Sequence, residues 1–283
     1  GANTGVATYQ GSRLSGASTG ASDMRVLSQQ LTNQGREAVA GNAEAFKAFK
    51  ETKRSVESTV SDLQSRFGNE AAISGPLAKL SATWAPLGKS ADQVIASEKA
   101  LLGLAGNANS FASEVSSLQA ELDELVRAMS ASGSPSSQVY LALRQVVLSS
   151  AMAGSITEIR AGGTSAARAG DALGRNATVF DNVLAGLRKG DPAAGVTALS
   201  NSGALAALTR TETRWKKMKT DVDAILGNSK NLFAAQSSAA SLTAGSDKLL
   251  NDSRNLFDAF TAPPAGQSPA DEAHALQLAT AVL

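Results

Sequence analysis

The stretch Phe111–Met129, FASEVSSLQAELDELVRAM, decides the fold class of this 283-residue chain. Its apolar residues recur at alternating spacings of four and three: Phe111, Val115, Leu118, Leu122, Leu125 and Met129. This is the a/d heptad pattern of a helix that buries one narrow stripe against its neighbours. No run of alternating β-branched residues favours a sheet. The sequence therefore predicts an all-α protein.

Three earlier segments of the first half also have helical periodicity. The first runs from about residue 14 to 41, and the second stops at Gly68-Asn69. The third carries an apolar series that includes Trp84 and extends to Leu101, and the heptad helix ends in the breaker SGSPSS at 132–137. Four amphipathic helices with short connections are typical of an up-and-down bundle.

The second half of the chain repeats this order. A shift of 121 residues places Leu31 on Met152, and a shift of 120 places Phe67 on Leu187. After an insertion, a shift of 131 aligns the only two tryptophans, Trp84 and Trp215, and the heptad pair Leu118 and Leu249. We infer an internal duplication that yields two tandem four-helix bundle modules, stacked or side by side.

The predicted organisation has four parts. Residues 1–15, with three glycines, form a flexible N-terminal segment; 16–131 and 132–262 form the two modules; and 263–283 form a linker. The last residues, ALQLATAVL, are uncharged, so they fit either the start of a membrane helix or a short terminal helix.

Composition excludes several classes of function. The net charge is +1 and basic residues do not cluster, which argues against a nucleic-acid partner. There is no cysteine and one histidine, His274, in the tail. We therefore expect no metal, no cofactor and no enzymatic activity, because no catalytic set is present.

The first helix carries a motif that leads to a family resemblance. MRVLSQQL, residues 24–31, resembles the Arg-x-Leu-Ser-Gln-Arg signature of the PilJ-type sensory domain of type IV pilus methyl-accepting chemoreceptors. A related arginine occurs in nitrate sensor kinases of the NarX type. The similarity extends in order through four further stretches: GNAEAFKAFKETKRS (41–55), ADQVIASEKALL (91–102), SQVYLALRQVVL (137–148) and ALGRNATVFDNVLAGLRKGD (172–191).

The resemblance implies the periplasmic part of an inner-membrane receptor, held between two membrane helices. Such a region signals to a CheA-type kinase that controls twitching motility, with the type IV pilin subunit as partner and a homodimer as the expected assembly. We expect signalling by a small helix shift of about 1–2 Å. The alternative is a structural or adhesive helical protein of a pilus or secretion apparatus that does not signal.

Arg25 is the candidate ligand-binding residue, flanked by Ser28 and Gln29. In the nitrate sensors the corresponding arginine contacts an anion at a dimer interface. The resemblance thus implies that Arg25 meets its counterpart across a two-fold axis and binds an anion or carboxylate through its two-pronged guanidinium. The alternative is an ion pair with a neighbouring helix. Because Gln30 replaces the second signature arginine and Val146 occupies the repeat position, a symmetric pair of sites is not expected.

The two tryptophans are predicted to be structural anchors. Trp84 and Trp215 fall on apolar stripes, where a core or interface role is the usual one. The run RWKKMK, Arg214 to Lys219, is interpreted as a solvated face around buried Trp215 and Met218, with contact to an anionic surface as the alternative.

Overall fold

The structure, a computed structural model, describes residues 2–262, with side chains at 15, 16 and from 19 onward. Over these residues it contains seven α-helices and no β-strand, which confirms the all-α prediction. The helices are α1 (Ala2–Val39), α2 (Ala43–Phe67), α3 (Ala71–Ala96), α4 (Glu98–Ala131), α5 (Ser136–Ala161), α6 (Ala166–Lys189) and α7 (Ser202–Thr261). The expected linker at 263–283 lies outside the described residues.

The N-terminal segment, expected to be flexible, belongs to helix α1 in this structure from residue 2 onward. Helix α1 begins at Ala2 and includes Gly5 and Gly11. Each glycine costs about 1 kcal/mol relative to alanine. Extending an existing helix avoids the cost of nucleation, however, so the turns that follow residue 15 support those before it.

The predicted breaks between helices are confirmed where polar caps mark them. Helix α2 starts after Asn42, whose side-chain oxygen accepts a hydrogen bond from the Ala45 amide at 3.1 Å. It ends at Gly68, and α4 ends before the SGSP turn at 132–135. The buried side chains of α2 form one stripe: Ala45, Phe46, Phe49, Thr52, Val56, Val60, Leu63 and Phe67.

No turn separates the third and fourth helical segments of either repeat. Only Ser97 interrupts α3 and α4, and α7 runs without interruption for 60 residues. Gly103 and Gly106 lie inside α4, near buried Leu101 and Leu104. Packing of this apolar stripe outweighs the modest helix cost of two glycines.

The compact units therefore differ from the modules expected at 16–131 and 132–262. Among the described residues, one unit comprises 2–98 and 234–262, so α1, α2 and α3 associate with the second part of α7. The other comprises 99–233, so α4 associates with α5, α6 and the first part of α7. We call these units 1 and 2. The fourth segment of each repeat therefore belongs to the unit formed by the first three segments of the other repeat.

Equivalent contacts in the two units support the duplication. In unit 1, the Thr83 hydroxyl donates to the Asp252 carboxylate at 2.5 Å. A shift of 131 maps Thr83 onto Arg214, and the same shift maps Glu121 onto Asp252. In unit 2, Arg214 Nε donates to Glu121 Oε2 at 2.9 Å. The same two positions of the repeat therefore join the third and fourth segments in both bundles.

The insertion in the second repeat is an ordered loop between α6 and α7. It contains a 3₁₀ turn, Pro192–Ala194, and an isolated bridge between Asp191 and Val196. The buried Gln138 side chain of α5 fastens it: its amide donates to the Thr197 carbonyl at 2.9 Å, and the Thr197 amide donates back at 3.0 Å.

Within the described residues, α5 is the one helix long and apolar enough to cross a membrane. In this structure it packs in unit 2 and turns Gln138, Gln145 and Ser149 toward the bundle interior.

Candidate functional site

The face of α1 that carries Arg25 is solvent-exposed. Met24 and Leu31 are buried in unit 1, and this fixes the rotation of the helix. Arg25 and Gln29, one turn apart, are both exposed. Ser28 is 1% exposed, and its hydroxyl donates to the Met24 carbonyl at 2.5 Å. The structure therefore brings Arg25 and Gln29 together and directs Ser28 into the bundle.

The alternative role for Arg25, an ion pair with a neighbouring helix, is not seen in the structure. Among the described residues, no ion pair or hydrogen bond involves its guanidinium. The nearby groove between α1 and α2, of about 620 Å³, is lined from α1 by Asp23, Val26, Leu27 and Gln30. Arg25 lies on the opposite flank of α1 and does not line this groove.

In unit 2 the carboxylate of Asp181 has two polar partners. The Trp215 indole N–H donates to Oδ1 at 2.6 Å, and the Lys219 ammonium lies 2.9 Å from Oδ2. Trp215 is 3% exposed and packs on Phe180 with ring centroids 4.3 Å apart. The hydrogen bond that Lys219 donates to Asp181 raises the pKa of Lys219. The carboxylate thus joins a buried aromatic residue to a surface cation.

A second charged cluster joins α4 and α7. Arg214 contacts both Glu114 and Glu121, and Lys217 lies 2.9 Å from Glu114. Hydrogen bonds from Lys217 and Arg214 lower the pKa of Glu114. The hydrogen bond to Glu121 is the main cause of the raised pKa of Arg214. The run 214–219 therefore pairs with carboxylates of neighbouring helices as well as facing solvent.

Trp84, the counterpart of Trp215, has a different environment. It is 7% exposed, and among the described residues no hydrogen bond to its indole nitrogen is found. Its ring lies over Gly88, where an added Cβ would approach Cε2 to 3.3 Å. Both tryptophans are buried, as expected of anchors, but only Trp215 is held by a polar partner.

No direct signal in the sequence indicated Asp181. Its position one residue after the buried Phe180 places it at the edge of an apolar stripe, where many surface carboxylates occur. Glu114 and Glu121 of α4 lie outside its heptad stripe, where a carboxylate is ordinary. The signal that could have found them was the basic run Arg214 to Lys219, because fixed cations at half-buried positions require counter-charges.

A groove of about 470 Å³ runs beside Trp215 between α6 and α7. Two ion pairs lie along it, Arg188 with Glu212 and Lys219 with Asp181. Among the described residues, no group of three or more His, Cys, Asp or Glu side chains could hold a metal ion.

The fold is a helical bundle. Its charged groups with shifted pKa values form ion pairs between neighbouring helices. Comparison with known proteins narrows this class. Residues 128–241, which span the end of α4, all of α5 and α6, and α7 as far as residue 241, match the family described as type IV pili methyl-accepting chemotaxis transducer N-term.

Two curated proteins are similar over most of the chain. Protein PilJ of Pseudomonas aeruginosa is 31% identical over 256 residues, which is 88% of this chain and 37% of that protein. A putative methyl-accepting chemotaxis protein, AlkN of Alcanivorax borkumensis, is 30% identical over 254 residues, 89% of this chain and 37% of its own length. These similarities identify a PilJ-type chemoreceptor region, which spans little more than a third of either relative.

Proposed function

We propose that this chain is the extracytoplasmic sensory region of a type IV pilus chemoreceptor anchored in the inner membrane. The observation that carries the proposal is the match of 128–241 to the N-terminal region of such transducers, together with 31% identity to PilJ across most of the chain. The region has no enzymatic role in this proposal; it biases a kinase pathway that controls twitching motility.

Helix α7 supplies the proposed route for the signal. It contributes to unit 2 through residue 233 and to unit 1 from residue 234 onward. A stimulus that favours one packing of α7 would shift the helix as a body, because its backbone hydrogen bonds continue throughout. The stimulus must bind one packing better than the other to have this effect.

We propose the pilin subunit as the stimulus. The test is binding of purified pilin to the purified chain, with Lys189→Glu as the test variant at the loop end of unit 2. Lys230→Glu, a matched exposed lysine at the other end of the same unit, is the control. The proposal expects binding that Lys189→Glu weakens and Lys230→Glu leaves intact. Failure of the wild-type chain to bind pilin would reject this partner.

Arg25 is proposed as a separate contact for a small anion or carboxylate. Its exposed guanidinium has no partner among the described residues, and an arginine fork donates two parallel hydrogen bonds to such groups. Calorimetry with nitrate and with acetate should show heat of binding that disappears in Arg25→Ala. An identical titration for both proteins would remove Arg25 from the site.

Signalling itself is tested in the full-length receptor. Twitching and kinase output should change when residues of this region that bind the stimulus are altered, with receptor abundance unchanged. The gene should encode an apolar span on each side of this region and a coiled coil downstream. A gene without those spans would instead favour a structural or adhesive protein.

A further inference from the structure

The groove between α1 and α2 of unit 1 carries two opposite charges. It has a volume of about 620 Å³, and it is lined by Asp23 from α1 and by Arg54 from α2. Both side chains are exposed, and neither forms an ion pair or a hydrogen bond within the part of the chain that the structure describes. Packing of unit 1 therefore uses neither charge, and both can contact a ligand.

The pairing of α1 with α2 fixes the spacing of these two charges. The Thr52 hydroxyl of α2 donates to the Gln34 side-chain oxygen of α1 at 2.6 Å. The two helices are joined by a short turn and run antiparallel, so Arg54 lies level with about residue 32 of α1. Asp23 lies nine residues before that level, which is about 13 Å along the helix axis. The two charges therefore lie toward opposite ends of the groove.

Between the two charges, the groove has hydroxyl groups on one wall and apolar carbon on the other. Ser55 and Ser58 line the α2 wall, and Val26 and Leu27 line the α1 wall. Neither serine hydroxyl has a hydrogen-bond partner among the described residues, and Val26 is 53% exposed. A hydroxyl both donates and accepts, so it can pair with the N–H or the C=O of a peptide group. The valine offers apolar surface to a side chain.

The second repeat shows that the bundle does not need this pair of charges. A shift of 121 places Asp23 on Arg144, and a shift of 120 places Arg54 on Gly174. The first charge is thus reversed and the second is absent, although α5 and α6 pack as α1 and α2 do. The opposite charges are a feature of the first repeat, and a ligand explains them better than folding does.

We propose that this groove binds a short extended peptide of about three residues, with its terminal ammonium at Asp23 and its terminal carboxylate at Arg54. An extended tripeptide spans about 10 Å, and charge-assisted hydrogen bonds of about 2.8 Å at the two ends make up the remaining distance. The guanidinium of Arg54 can hold the carboxylate through two parallel hydrogen bonds. A single amino acid spans at most about 3.6 Å, so it reaches only one of the charges.

This site goes beyond the proposed function and is separate from the contact proposed for Arg25, which lies on the opposite flank of α1. Its walls are exposed, so each terminal contact is screened by water and contributes modestly. Affinity therefore depends on both ends being held at once, and it requires a peptide that carries both charges.

Calorimetry of the purified chain with the tripeptide Ala-Leu-Ala tests the proposal without any variant. The unmodified peptide should bind, and its N-acetylated and C-amidated forms should each bind about three- to tenfold more weakly, because each has lost one charged contact. Alanine alone should give no measurable heat. Equal affinity for the three peptides, or no binding of Ala-Leu-Ala, would overturn the proposal.

Two variants assign the ends of the peptide. Asp23→Asn should weaken binding of Ala-Leu-Ala as acetylation does, and it should leave the affinity for the acetylated peptide unchanged. Arg54→Gln should have the same relation to the amidated peptide. Asp123→Asn and Arg36→Gln are the matched controls, since both residues are exposed and lie outside the groove, and they should alter none of these affinities.

The orientation of the peptide is tested by the same titrations. If acetylation weakens binding to Asp23→Asn as much as it weakens binding to the wild type, the ammonium does not lie at Asp23 and the proposal is overturned. Equal losses in the variants and in their matched controls would also overturn it, because the effect would then be one of net charge. Failure of the chain to bind pilin would leave these results unchanged.

Discussion

At the scale of single residues, the environments of the two tryptophans separate packing from polar anchoring. Trp84 and Trp215 occupy equivalent repeat positions and are similarly buried, yet within residues 2–262 only Trp215 donates a hydrogen bond, to Asp181. The sequence could predict their burial, because both fall on apolar stripes. It could not predict the polar partner, because a carboxylate at the edge of an apolar stripe is common. Only the rotation of α6 about its axis, as it packs on α7, brings Asp181 to the indole.

This difference predicts unequal costs for the same substitution. Trp215→Phe removes the indole donor from a carboxylate, so it should lower the free energy of unfolding by about 1–3 kcal/mol more than Trp84→Phe does. Both changes remove the same atoms, and Trp84→Phe is therefore the matched control for lost packing. Urea unfolding measured by circular dichroism gives both values. Equal losses would show that the Trp215–Asp181 hydrogen bond adds nothing to stability.

Glu114 predicts a pH dependence. Hydrogen bonds from Lys217 and Arg214 lower its pKa in the folded chain from the usual 4.5. A depressed carboxyl pKa stabilises the fold above the unfolded-state value, and this contribution is lost as pH falls through the folded-state value. The stability difference between the wild type and Glu114→Gln should therefore be present at neutral pH and shrink as the pH falls below 4.5.

Urea unfolding at several pH values measures this difference. Asp123→Asn is the control, since Asp123 is exposed on the same helix and forms no ion pair among the described residues. If Glu114→Gln and Asp123→Asn follow the same pH profile, the Glu114 cluster has no linked effect on folding.

At the scale of helices, the sequence predicted the elements better than their partners. The Gly-Asn dipeptides at 41–42 and 68–69 and the SGSP turn at 132–135 marked true ends. Positive φ at Gly41 and Gly133 stops the helix at two of them, whereas Gly68 keeps a helical φ of −61°. The glycines at 103, 106, 227 and 245 marked no end, since a helix passes through them. A heptad stripe indicates that a helix is packed, but it has the same form whether the next segment turns back or continues.

Two of these α7 glycines predict opposite effects of the same change. An added Cβ at Gly227 meets nothing within 4 Å, so Gly227→Ala should stabilise the chain by about 0.5–1 kcal/mol through helix propensity. At Gly245 the added Cβ would collide with the Leu87 side chain, 3.2 Å from its Cγ, and overpacking costs about 1–3 kcal/mol. The midpoint temperature of thermal unfolding should therefore rise for Gly227→Ala and fall for Gly245→Ala. A rise for both would mean that α7 has no close contact with Leu87.

At the scale of the whole molecule, the fourth helical segment of each repeat packs in the bundle of the other repeat. This determines which stretches of chain can fold alone. Unit 2 is one continuous stretch, 99–233, whereas unit 1 needs two stretches that are distant in sequence. The modules predicted from the repeat, 16–131 and 132–262, each contain four helical segments of correct pattern. In each module, however, the fourth segment belongs to the bundle of the other repeat, so the helix that completes the module's own bundle is missing.

Fragment folding distinguishes the two arrangements. Residues 99–233 should form a cooperative, helical monomer, because all four helices of unit 2 are present and the Arg214 pairs with Glu114 and Glu121 are intact. Residues 16–131 should melt without cooperativity, because α1, α2 and α3 lose the α7 segment that covers Thr83 and Leu87. Adding a peptide of residues 234–261 to fragment 1–98 should restore cooperative melting, since it supplies the missing helix of unit 1. Circular dichroism and sedimentation measure helicity and mass for each fragment. A cooperative monomeric fold of 16–131 would show that the fourth segment can fold back on its own repeat.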